Sequence, residues 1–205
     1  MCQEKLFGVF FIAIAIAIAL ASILSEIAFL NKLPLYYNAV IWIGSFIVTF
    51  TSLFYNKRNI LWSSLRNRMK NSIKWPIHAK IINGICWAGP FAAIALLPSL
   101  SPYLILAGIG CGNVSTYLLL KRYEDINKSK SSNHNNNNSS IGREQIIVGL
   151  ISLTGILIVF EAHTGMLTVG EDVAITLSRI LISFAYATGG IYALMINNKR
   201  KDKSL

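Results

Sequence analysis

The sequence predicts an all-α fold: a polytopic transmembrane helical bundle of six helices, with both termini in the cytoplasm. Three observations carry that expectation. Of the 205 residues, 54% are hydrophobic and only 14% charged, against about 25% charged in an ordinary soluble domain. Mean hydropathy is +0.53. The basic residues alternate between rich and empty loops, the pattern of a membrane chain oriented by cytoplasmic positive charge.

A helix needs about 20 apolar residues to cross the hydrocarbon core of a bilayer. Six stretches qualify: 6–25, 37–55, 81–98, 103–120, 146–164 and 173–196. The first contains a strict alternation of isoleucine and alanine from Ile12 to Ala19, which in water would read as a strand. A lone strand in lipid leaves its backbone without hydrogen bonds, so the segment is expected to be helical. Lys5, the apolar run and Ala19-Leu20-Ala21 also resemble a cleavable signal peptide. The run exceeds the usual signal core of about 7–15 residues, which favours a retained helix.

After the second span, residues 56–80 carry seven basic side chains. Leu61, Leu65, Met69 and Ile73 recur every fourth residue, with Arg66, Lys70 and Lys74 one step round and Trp62 and Trp75 among them. That is an amphipathic, cationic pattern suited to lying on the membrane surface. Trp62, Arg66, Lys70, Lys74 and Trp75 are therefore the expected contacts with anionic lipid headgroups on the cytoplasmic face.

The third and fourth spans are joined by a very short turn between Pro98 and Pro102, which makes them antiparallel neighbours. Matching residues at equal depth about that turn pairs Gly89 with Gly108, Cys86 with Cys111, Gly84 with Gly112, and Asn83 with Asn113. Small residues at such spacing let helix backbones approach closely. Gly84, Gly89, Gly108 and Gly112 are thus expected packing positions. Asn83 and Asn113 are expected either to join the two helices or to line a polar path. Pro90 should interrupt a backbone hydrogen bond of the third helix.

The stretch from Lys128 to Ser140 reads KSKSSNHNNNNSS and has no apolar residue with which to form a core. A disordered cytoplasmic tether over 126–143 is expected. In the last two spans Glu161 and Arg179 stand out, because charges inside membrane helices are rare and point to function or pairing. The turn between them places them at comparable depth, where snorkelling to headgroups, a structural ion pair or a solute site are the three alternatives.

In this topology seventeen basic residues and five acids lie on the cytoplasmic side, a net +12, while Lys32 faces Glu26, Glu171 and Asp172 outside, a net −2. Anionic lipid accounts for the basic excess, and nucleic acid is not an expected partner. No HExxH, GxSxG or GxxxxGK[ST] pattern is present, and Gly108-Ile109-Gly110-Cys111-Gly112 lies within a span, where it reads as packing. His78, His134 and His163 are scattered, and the three cysteines form no CxxC. No catalytic residue, metal site or cofactor is expected. The site expected from sequence is a polar one in the membrane, formed from Glu161, Arg179, Asn83 and Asn113, in a plasma-membrane protein that transports or gates a small solute. The alternatives are an accessory or scaffold subunit, as a homo-oligomer or with a membrane partner, and, less favoured, a lipid-modifying enzyme.

Overall fold

The structure is a computed structural model that describes residues 3–34, 36–55, 75–130, 142–164 and 170–202. Among the described residues there are six α-helices and no strand: α1 (Gln3–Leu30), α2 (Tyr36–Phe54), α3 (Ile77–Ile94), α4 (Ser101–Lys130), α5 (Arg143–Thr164) and α6 (Glu171–Asp202). All but α3 are long and apolar enough to cross a membrane, the architecture of a multi-pass membrane protein. In α3, His78, Lys80 and Asn83 fall within the first two turns and dilute an otherwise apolar helix of 18 residues.

The surface and the interior are inverted relative to a water-soluble protein. Ile23, Val40, Ile47, Leu157, Phe184 and Met195 point outward, while Ser22, Ser45, Thr49, Asn113, Glu144 and Ser152 are buried. An outside made of large aliphatic side chains suits lipid as solvent, and it leaves helix association to close packing and internal hydrogen bonds.

The helices form a series of antiparallel neighbours running α2, α1, α6, α5, α4, α3, with α4 also touching α6. The most extensive of these interfaces is between α1 and α6, the two ends of the chain. Glycine makes it possible: a Cβ on Gly190 would lie 2.8 Å from the Gly8 carbonyl oxygen, and one on Gly8 would lie 2.9 Å from that of Gly190. Further along, the Ser183 hydroxyl donates to the Ala15 carbonyl at 2.8 Å. A similar close approach joins α4 to α5, where a Cβ on Gly149 would sit 3.1 Å from the carbonyl of Gly110. Because every adjacent pair is antiparallel, the N-termini of α1, α3 and α5 share one end of the bundle with the C-termini of α2, α4 and α6. The segments 56–74 and 131–141 and the tail after Asp202 all attach to this end, and most of the basic residues lie in or beside them.

Several boundaries differ from the sequence expectation. Helix α1 runs five residues past Ser25, so that Glu26 belongs to the helix and not to a loop. It stops where Lys32 enters the left-handed region (φ 52°) and Leu33 N–H closes back on the Ala28 carbonyl at 3.0 Å, a helix-ending geometry that glycine usually serves. Helix α4 continues through Lys130, so residues 126–130 of the expected tether are helical; α5 begins at Arg143. Helix α3 starts at Ile77 and ends at Ile94, earlier than 81–98, and Pro90 sits inside it without ending it. The amphipathic segment with Trp62, Arg66, Lys70 and Lys74 lies outside the described residues. Trp75, at its edge, is half-buried with its indole N–H covered and without a hydrogen-bond partner among the described residues.

Candidate functional site: a polar seam between α1, α2 and α6

Among the described residues two polar groupings between helices involve residues of interest, and hydrogen bonding separates them. The first joins α3 to α4. The Asn83 side-chain oxygen Oδ1 accepts from Ser115 Oγ at 2.7 Å and from Thr116 Oγ1 at 2.9 Å. Trp87 Nε1 donates to Thr116 Oγ1 at 3.1 Å, and both hydroxyls also reach the Gly112 carbonyl. Each hydroxyl has one proton and a choice of two acceptors, so the group is internally satisfied.

The register of this hairpin corrects the equal-depth pairing. Asn83 meets Ser115 and Thr116, not Asn113, because a short 3-10 turn at Pro98–Leu100 sets where α4 begins. Asn113 turns away, its side-chain amide donating to the Ile109 carbonyl of the preceding turn at 2.8 Å, and lies near the Tyr186 side chain of α6. The glycines divide accordingly. Gly108 lies against the ring of Phe91 and Gly112 against that of Trp87, whereas Gly84 has open space around it and Gly89 meets only Ile85 of its own helix. Large rings of α3 thus seat on glycines of α4, in place of glycine against glycine. Cys86 and Cys111 are free and half-buried.

The second grouping is open. Helix α6 contributes Thr176, Arg179 and Ser183; α1 contributes Ser22, Ser25 and Glu26; α2 contributes Asn38, Trp42, Ser45 and Thr49. Each set recurs at three- and four-residue steps and so lies on one face of its helix. Thr176 Oγ1 donates to the Glu26 carboxylate. The Arg179 guanidinium carbon lies 5.5 Å from the centre of the Trp42 ring, a cation–π distance. Thr176 and Arg179 are three residues apart on α6, so this hydrogen bond brings the Glu26 carboxylate to the Arg179 side of the seam.

Among the described residues no hydrogen bond or ion pair is made by the Arg179 guanidinium. Ser25 Oγ, Asn38 Oδ1, Ser45 Oγ and Thr49 Oγ1 are buried with no hydrogen-bond partner among the described residues. The side chains of Ser25, Ser45 and Thr49 are only 5–6% exposed. A buried polar group left unpaired costs about 1–3 kcal/mol, which sets these four side chains apart from the satisfied α3–α4 network.

The residues singled out in the sequence are therefore dispersed. Asn83 belongs to the closed α3–α4 network and Asn113 to the α4–α6 contact. Arg179 belongs to the open seam. Glu161 is exposed on α5 with no hydrogen bond or ion pair to a described residue, and nearby His163 sits edge-on to Tyr103 with ring centres 6.3 Å apart. Glu26, Thr176, Trp42, Ser45 and Thr49 were not anticipated. Their signal in the sequence is the helical recurrence of polar residues, Asn38, Trp42, Ser45 and Thr49, within an apolar span. Comparison with known protein families, curated proteins and solved structures finds no match to this chain.

Proposed function

We propose that this chain is a six-span plasma-membrane protein, termini in the cytoplasm, that binds and passes a small polar solute along the α1–α2–α6 seam. The observation that carries this reading is the Arg179 guanidinium over Trp42, in a seam where buried Ser25, Asn38, Ser45 and Thr49 have no hydrogen-bond partner among the described residues. An intramembrane arginine is costly unless something meets it, and such residues mark solute and ion paths.

The six-span topology draws on α3 lying antiparallel to α4 along its length, from the His78–Tyr123 contact at 3.4 Å to Phe91 over Gly108. The orientation draws on the attachment of all three basic segments to one end of the bundle. Retention of the first helix draws on its burial: 50% of its apolar window is enclosed, against 17% for α2, and Phe11, Ala15 and Ile18 share one core with residues of α4, α5 and α6.

The test is osmotic swelling of liposomes reconstituted with the full chain and placed in isosmotic glycine, glycerol or ammonium acetate. Swelling faster than protein-free vesicles in at least one solute, and slowed by Arg179→Gln in a variant that still purifies monodisperse, supports the reading. Rates equal to empty vesicles in every solute overturn it.

A further inference from the structure

We infer that the solute taken at the Glu26–Arg179 cluster is a small zwitterion, with an oxyanion and an N–H-bearing cation close together, an inference that rests on the solute-handling reading above. The unmet hydrogen-bonding capacity in the seam has both signs. Arg179 offers five N–H donors, none hydrogen-bonded to a described residue, and its guanidinium carbon stands 5.5 Å from the centre of the Trp42 ring. Glu26, opposite in charge, accepts the Thr176 hydroxyl and has lone pairs to spare. Asn38, one turn from Trp42 on the same face of α2, has a buried side-chain carbonyl oxygen with no donor among the described residues.

A solute with negative charge alone would satisfy Arg179 and be repelled by Glu26. One with positive charge alone would meet the reverse. A zwitterion places its oxyanion on the guanidinium and its ammonium toward Glu26 and the Asn38 oxygen, so both fields act in its favour. The hydroxyls of Ser25 and Ser45 can donate or accept and so adjust to either end. A quaternary ammonium has no N–H to give and is the poorer match. Free amino acids and the phosphate–ammonium headgroup of phosphatidylethanolamine share this chemistry, and they are distinguished by their source.

The experiment uses the full chain in nanodiscs of phosphatidylcholine alone, with equilibrium binding of labelled glycine and competition by acetate, methylamine and trimethylglycine. Glycine is expected to bind, the three competitors to be weaker by about tenfold or more, and Glu26→Gln and Arg179→Gln each to reduce glycine binding by a similar factor. Arg179→Lys, which keeps the charge and loses the fork, serves as the second variant, and size-exclusion profiles report folding of all three. In a parallel arm, phosphatidylethanolamine added to the discs that displaces glycine and co-purifies with the protein supports the zwitterion with the headgroup as its source. The inference is overturned if neither glycine nor phosphatidylethanolamine binds while vesicles still swell in acetate or glycerol, a result that leaves the transport reading standing. It is equally overturned if glycine binds and both charge-removing variants, folded, bind it unchanged. Absence of swelling in any solute is the separate failure of the transport reading.

Discussion

The Glu26 carboxylate of α1 accepts the hydroxyl of Thr176, which lies three residues before Arg179 on α6 and so on the same side of the α1–α6 interface. Glu26 and Arg179 come from opposite ends of the chain, and their sharing one interface depends on α1 and α6 lying antiparallel at glycine distance. Neutralising either leaves the other without its counter-charge, and neutralising both removes the problem. In a double-mutant cycle, Glu26→Gln and Arg179→Gln should show a coupling of about 1 kcal/mol in stability, modest because both side chains are only half-buried. Thermal or denaturant unfolding in detergent measures it. Strict additivity would mean that the two charges do not sense each other.

Helix packing makes a sharper contrast between glycines of similar appearance. Gly190→Ala should destabilise by about 1–3 kcal/mol, because its methyl would fall 2.8 Å from the Gly8 carbonyl and 2.7 Å from Ile12. Gly84→Ala has open space to fill and should be neutral or stabilising by about 0.5–1 kcal/mol, the intrinsic helix preference of alanine. Melting midpoints of the two variants side by side decide this; equal losses would show that Gly84 packs against something.

The α3–α4 network predicts a small effect. In Asn83→Ala the Ser115 and Thr116 hydroxyls retain the Gly112 carbonyl as acceptor at 3.0 and 2.7 Å. The expected loss is about 0.6 kcal/mol, the typical value for an interhelical polar contact in a membrane, with solute swelling unchanged. A variant that folds but stops swelling would move the site to this hairpin.

At the end of α1, Lys32 occupies the left-handed region that costs a side chain roughly 1 kcal/mol. Lys32→Gly should therefore be neutral or raise the melting midpoint, since glycine takes φ near 52° without strain. A clear drop would show that the lysine side chain makes a stabilising contact that outweighs its backbone strain.

The reach of the sequence follows the range of its contacts. The α3–α4 hairpin was readable because two prolines bracket its turn, which fixes both neighbour and direction. Its register was not, because a 3-10 turn consumes residues that a count about the turn assigns elsewhere, and so Asn83 faces Ser115 rather than Asn113. The intramembrane arginine was readable from its charge. The acid on its side of the α1–α6 interface was not: apolar patterning says which faces avoid lipid but not which distant helix they meet. Glu161 is close in sequence and was the natural candidate, whereas Glu26 became available only because α1 continues to Leu30. Had Ser22, Ser25 and Glu26 been taken as one helical face, together with Asn38, Trp42, Ser45 and Thr49, two of the three stripes of the seam would have been visible.

The central claim is that this seam admits polar molecules. Ser45→Cys and Thr49→Cys, each in a background with Cys2, Cys86 and Cys111 replaced by alanine, should react in vesicles with a small membrane-impermeant thiol reagent, because reaction needs the ionised thiolate and hence water. Ile47→Cys, on the exposed apolar face of α2 between them, should not react. Labelling at 45 and 49, slowed by a bound solute, with none at 47, is the predicted result. Equal labelling at all three positions, or none at 45 and 49, would contradict the account.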